Sequence, residues 1–130
     1  MKNISIVIFT LLLIAGCDTA SDTPLPSDYT EEQSSVLQQS VISKTNTSVT
    51  FKVVAGKPSS CGDYSRSEIS ITDSVVFVKV FHRYPKDVGC LAVLSSYEAE
   101  IIVSNLPIRN RYIFKFWDTN TTTKDTVVVF

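Results

Sequence analysis

The chain is poor in the residues that most enzyme chemistry requires. It has one histidine, one methionine, one tryptophan and four glycines among 130 residues. A metal centre needs several ligands at close spacing, and a single histidine among dispersed carboxylates predicts no metal site. The Gly-x-Ser-x-Gly elbow of serine hydrolases and the glycine patterns that cradle phosphates are also missing. We therefore expect no cofactor and no enzyme of these classes.

Strong charge of one sign is missing as well. Residues 18–40 hold five acids and no base, whereas residues 41–130 hold eight acids and eleven Lys or Arg, a net of +3 (eleven minus eight). This excess is too small and too scattered for the electrostatic footprint of a nucleic-acid-binding protein. We expect ordinary solvated charge and no nucleic-acid partner.

No apolar run in the sequence is long enough to cross a membrane. The longest extends from Ile4 to Ile14 with two polar interruptions, and a spanning helix needs roughly 20 apolar residues. Lys2 precedes this run, and the small residues Ala15 and Gly16 follow it. A positive start, a short apolar stretch and a small-residue cleavage site are typical of a secretory signal peptide.

The string Leu13-Ile14-Ala15-Gly16-Cys17 resembles the lipobox of bacterial lipoproteins. The resemblance covers about the first 20 residues. It implies that the Cys17 thiol carries a diacylglyceryl group, with fatty acids such as palmitate, and that the signal is cut before Cys17. It also implies a lipid-anchored protein of the cell envelope that faces the periplasm or the exterior. Asp18 resembles an inner-membrane retention signal of enterobacteria, and the choice between inner and outer membrane stays open.

Three segments follow from these patterns. Residues 1–16 are predicted to be the lipoprotein signal peptide, and residues 17–40 the lipidated cysteine with an acidic flexible tether. Pro24, Pro26 and many Asp, Ser, Thr and Glu residues disfavour regular structure in this tether. Residues 41–130 are predicted to be the folded domain, although its first strand begins within the end of the tether.

Alternation of apolar and polar residues predicts seven short strands. They lie at about Val36–Lys44, Ser48–Ala55, Arg66–Thr72, Val75–His82, Tyr97–Val103, Arg111–Trp117 and Asp125–Phe130. Strands at roughly ten-residue spacing favour an all-β, two-sheet antiparallel β-sandwich. The pattern resembles the immunoglobulin-like and fibronectin type III-like domains of exported bacterial proteins, and a small barrel is the alternative.

Two cysteines remain if Cys17 is lipidated. An exported pair in an oxidising compartment most often forms a disulfide, so we expect a bond between Cys61 and Cys90. Both lie in or beside predicted loops, one of them rich in Gly, Pro and Ser. The bond is therefore predicted to join two loops at one end of the sandwich.

The loops near these cysteines carry the side chains that we expect to bind a partner. Tyr and Arg are the residue types favoured in binding hot spots, and loops on a rigid scaffold often carry function. The predicted residues are Tyr64, Arg66, Arg83, Tyr84 and Lys86.

Three functional hypotheses remain open. The first is a non-catalytic binding or structural module that engages a protein or glycan of the envelope. The second is an inhibitor of an envelope hydrolase. The third is a thiol-dependent enzyme with Cys61 as nucleophile and His82 as base, oriented by Asp63 or Asp87. A disulfide at Cys61 argues against the third, and the ligand and oligomeric state stay open.

Overall fold

A computed structural model describes residues 28–130, which form a β-sandwich. The prediction of an all-β fold is confirmed. The strands form two separate sheets of five and three strands, so the alternative of a small barrel is wrong. No helix among the described residues is long and apolar enough to cross a membrane. The eight strands are β1 (Tyr29–Ser34), β2 (Val36–Lys44), β3 (Val49–Lys57), β4 (Asp63–Thr72), β5 (Val75–Pro85), β6 (Ser95–Val103), β7 (Arg111–Trp117) and β8 (Thr123–Val129).

The five-stranded sheet is built around β5, the longest strand. β4 pairs along one edge of β5, and β1 and β7 share the other edge. β7 pairs with Val75–Val78 and β1 with residues 80–85, and β8 pairs with the outer edge of β7. Every pairing is antiparallel except β5 with β7, which is parallel. The sheet therefore departs at one pair from the antiparallel arrangement that the sequence predicts.

The three-stranded sheet has β3 at its centre, with β2 and β6 as its edges. Alternate residues of β3 are fully buried, from Val49 and Phe51 to Val53 and Ala55. The residues between them face outward, and one of them, Lys52, forms a salt bridge with Glu98 of β6. This period-two pattern is the one that a strand with a single buried face requires.

The core is the layer where the two sheets meet. Phe51 of the three-stranded sheet lies with its ring centroid 4.8 Å from that of Phe114 and 5.0 Å from that of Phe116. Val76, Val78 and other buried residues of both sheets surround this cluster. Tilted and edge-on rings at these distances are the favoured packing of aromatic side chains.

The strand directions place the loops at two opposite ends. The segments 58–62 and 86–94 follow β3 and β5 and lie at one end, together with the start of β1, whose Tyr29 pairs with Pro85. We call this the disulfide end. Segments 45–48, 73–74 and 104–110 lie at the other, the far end, where Val49 pairs with Val103 and Arg109 contacts Asp73.

The prediction of a flexible tether is wrong for residues 29–34, which form β1, a strand that was not predicted. Residues 36–40 belong to β2, whose bounds agree with the predicted strand Val36–Lys44. The sequence of β1 is polar, but its backbone supplies hydrogen bonds to the part of β5 that β7 does not reach. Pairing with β5, rather than its own side chains, makes it a strand. The signal peptide, Cys17 and the rest of the tether to residue 27 lie outside the described residues.

Candidate functional site at the disulfide end

The predicted disulfide is present. Cys61 and Cys90 are bonded, with their Cα atoms 5.5 Å apart. Cys61 lies in the loop that joins β3 to β4, and Cys90 lies in the loop that joins β5 to β6. The prediction that the bond joins two loops at one end of the sandwich is confirmed.

Hydrogen bonds reinforce the same connection. The Ser60 amide donates to the Leu91 carbonyl at 2.9 Å, and the Leu91 amide donates to Ser60 Oγ at 3.0 Å. The Ser95 hydroxyl donates to the Ser59 carbonyl at 2.6 Å. The two loops therefore behave as one covalently and non-covalently linked unit.

Gly62 allows the loops to pack closely on β5. Its φ is +96°, and a Cβ at this position would lie 2.8 Å from the Arg83 carbonyl oxygen. Only glycine adopts this backbone conformation without strain, and here it also avoids a clash with backbone atoms.

A cleft of about 360 Å³ opens beside this unit. It crosses the end of the three-stranded sheet, with Gly56 and Lys57 of β3 in its lining. Leu37 and Leu94 stand on its rim and are 50% and 94% exposed. Exposed leucines of this degree around a concavity are more typical of a binding site than of a scattered apolar surface.

Gly56 keeps the cleft open. The three atoms nearest to a Cβ on this residue would all belong to the Leu37 side chain, at 3.6–3.7 Å. Glycine inside a strand commonly marks a place where another group approaches the backbone. A larger side chain at position 56 would occupy the space beside Leu37.

The polar atoms of the cleft are few. The Gln33 side-chain amide nitrogen is buried and has no hydrogen-bond partner among the described residues. Ser35 Oγ donates to the Asp118 carbonyl at 2.6 Å, and Lys57 Nζ donates to the Gly62 carbonyl. Because the Gln33 amide nitrogen is not accessible to solvent, the surface that the cleft offers to a partner is mainly apolar.

A buried polar chain lies beneath the disulfide end. Tyr97 donates its hydroxyl hydrogen to Ser34 Oγ at 2.8 Å, and Ser34 Oγ lies 2.8 Å from His82 Nδ1. Ser34 and His82 are each 1% exposed. A hydroxyl can donate one hydrogen bond and accept two, so the direction of the Ser34–His82 hydrogen bond depends on the His82 tautomer. Nε2 is buried and has no partner among the described residues.

Acid is expected to destabilise the domain through His82. Burial lowers the pKa of His82, with a smaller contribution from Lys57, and Glu32 opposes the shift. The unfolded chain therefore takes up the proton first, so stability is complete above about pH 6.5 and falls as the pH drops toward the folded-state pKa. The slope of the free energy of unfolding against pH is expected to be at most about 1.4 kcal/mol per pH unit in urea denaturation, which is the limit for uptake of one proton. His82 is the only histidine, so His82→Gln should remove the slope between about pH 6.5 and 5. An unchanged slope would contradict this account.

The predicted partner-binding residues do not form one patch in the loops. Tyr64, Arg66, Arg83 and Tyr84 lie on β4 and β5, and Lys86 directly follows β5. Since side chains alternate along a strand, Arg83 and Tyr84 point to opposite faces of the sheet.

Contacts within the sheet occupy these side chains. Arg66 lies over the Phe81 ring at 4.1 Å and forms salt bridges with Glu31 and Glu68 at 2.9 and 2.6 Å. The Tyr84 hydroxyl donates to Glu32 at 2.6 Å, and the Arg83 guanidinium lies 5.5 Å from the centre of the Tyr29 ring. The placement in loops was therefore wrong for Tyr64, Arg66, Arg83 and Tyr84 and correct for Lys86. Both β1 and the extension of β4 and β5 beyond their predicted ends account for the difference.

The cysteine–histidine pair of the enzyme hypothesis is not assembled. Cys61 is bonded to Cys90, and His82 Nδ1 is engaged by Ser34. Residues 28–130 contain no group of three or more His, Cys, Asp or Glu side chains that could hold a metal ion.

Sequence reasoning missed the residues of the cleft. Leu37 was assigned to a strand without a role, and Leu94 was left between predicted elements. The signal that was available is the apolar run from Leu91 to Leu94 in a segment that lacks strand alternation. Comparison of the chain with protein-family models, with curated proteins and with solved structures found no match.

Proposed function

We propose that this protein is a lipid-anchored, non-catalytic binding module of the bacterial envelope. The lipobox-like residues Leu13 to Cys17 support the anchor, with Cys17 as the lipidated residue. The Cys61–Cys90 disulfide supports an exported protein, because such bonds persist in oxidising compartments.

The cleft beside the disulfide is the proposed binding site. The main observation that supports it is the exposure of its two leucines. Leu37 and Leu94 present apolar surface on either side of the small residue Gly56. A bulky apolar side chain of a protein partner fits this lining better than a glycan does, since a glycan offers mainly hydroxyl groups.

The anchor is tested by replacing its cysteine. In bacteria grown with a labelled fatty acid, the natural chain is expected to carry label and to remain with the membrane fraction. Cys17→Ala should abolish both. A natural chain without label, or a Cys17→Ala chain that stays processed and membrane-bound, would refute the lipid anchor.

The cleft is tested by photocrosslinking in the native envelope. A photoreactive apolar residue in place of Leu37 is expected to capture a specific protein. The matched control is position 102, since Ile102 is 62% exposed on the same sheet but lies near the far end. Capture from both positions alike would contradict the cleft as the site.

Filling the floor of the cleft gives a second control. Gly56→Ala should preserve capture from position 37, because its Cβ makes only an ordinary contact with the residue there. Gly56→Val should reduce capture, because its two methyl groups enter the cleft. Equal thermal midpoints for the two variants would show that the difference comes from the site and not from folding. Undiminished capture in Gly56→Val would count against a segment bound at this floor.

A further inference from the structure

The loop of residues 86–94 exposes more apolar surface than the cleft accounts for. Val88, Leu91 and Val93 are 55%, 69% and 46% exposed, and none of the three lines the cleft. A short loop with three such side chains is unusual on a water-facing surface, and patches of this kind commonly mark contact with a protein or a membrane.

The described chain begins beside this loop. The Asp28 carbonyl accepts a hydrogen bond from the Lys86 amide at 2.8 Å, at the first residue of the loop. Eleven residue steps separate Cys17 from Asp28. A chain of that length reaches at most about 40 Å when extended and roughly 17–20 Å as a flexible coil. A lipid on Cys17 would therefore hold the disulfide end, rather than the far end, close to the bilayer.

The backbone amide and carbonyl of Leu91 already have hydrogen-bond partners within the protein. Its amide donates to Ser60 Oγ, and its carbonyl accepts from the amides of Ser60 and Val93 at 2.9 and 3.0 Å. Unpaired backbone groups are costly in a lipid environment. The side chain of Leu91 is exposed while its backbone groups are already satisfied.

We propose that the loop of residues 86–94 inserts Val88, Leu91 and Val93 into the interface of the lipid bilayer that holds the protein. This inference rests on the proposed lipid anchor at Cys17. The disulfide between Cys90 and Cys61 constrains the conformation of the loop. Insertion therefore does not have to order further residues, which would cost conformational entropy. The cleft then opens near the membrane surface, where a partner would present its apolar segment.

Tryptophan placement with quenching from the lipid tests the inference. The full lipidated chain is reconstituted in vesicles whose acyl chains carry bromine, which quenches tryptophan at close range. Leu91→Trp is compared with Ile108→Trp at the far end, where Ile108 is 85% exposed. The unsubstituted chain gives the background from Trp117. The emission added at position 91 is expected to be largely lost, and that added at position 108 to be retained.

Hydrogen exchange provides a second measurement. Amides in residues 88–93 of the lipidated chain on vesicles are expected to exchange more slowly than those of the unlipidated Cys17→Ala chain in solution, and amides in residues 104–110 are expected to exchange alike. Vesicle flotation separates the two proposals. A lipidated chain that floats with the vesicles but shows neither quenching at position 91 nor protection of residues 88–93 overturns the insertion and assigns the loop to a protein partner. A chain that carries no lipid overturns the anchor instead.

Discussion

Replacing Phe51 with alanine is expected to lower the free energy of unfolding by about 3–5 kcal/mol. Phe51 is fully buried, and its ring lies within 5.0 Å of two phenylalanine rings of the opposite sheet. Small domains are stable by only about 5–15 kcal/mol, so this change removes a third or more of the total in many cases. Urea denaturation followed by fluorescence measures the loss.

Phe77 provides the matched control for that experiment. It is the same residue type on β5, but it faces outward and is 43% exposed. Its replacement by alanine is expected to cost about 1 kcal/mol, since its ring is only partly removed from water. Equal losses at the two positions would contradict the assignment of Phe51 to the centre of the core.

Loss of the disulfide is expected to have the second-largest effect. The double variant Cys61→Ser, Cys90→Ser should lower the free energy of unfolding by about 3–4 kcal/mol, because the bond closes a long loop in the unfolded chain. The separation of 29 positions sets this value on the chain-entropy model. Urea denaturation of the oxidised and reduced natural chain gives the same comparison without mutation.

Hydrogen exchange in each segment distinguishes the local effect of losing the disulfide from a general loss of stability. In the double variant, hydrogen exchange should accelerate in segments 58–62 and 86–94, whereas the amides of β3 and β7 should change only with global stability. Acceleration confined to the core strands, or no change in stability on reduction, would show that the bond does not constrain this end of the sandwich.

Strand positions could be read closely from the sequence where one face of the strand is buried. β7 was predicted with its observed bounds, Arg111–Trp117, because Tyr112, Phe114 and Phe116 alternate with outward residues. The bounds of β3 agree to within two residues for the same reason. The disulfide and its place between two loops followed from the exported character of the chain and the turn residues around Cys61.

The site was harder to predict because it depends on neighbours that are distant in sequence. Leu37 and Leu94 are separated by more than half of the described chain, yet both line one cleft. Tyr64 looks like a loop residue beside a cysteine, but pairing with β5 extends β4 to Asp63 and engages it within the sheet. The pattern of apolar and polar residues in one segment does not show which other segment will pack against it.

The sequence by itself determined the β class, most strand positions, the pairing of Cys61 with Cys90 and the expectation of a lipid on Cys17, because each depends on local alternation, cysteine count or a contiguous motif. Tertiary structure alone decided that polar β1 is a strand, that β5 pairs in parallel with β7, and that a glycine and two leucines form a cleft. The physical reason is that backbone hydrogen bonds between strands are independent of side-chain identity. An open edge of β5 can therefore recruit a segment whose own residues do not favour a strand.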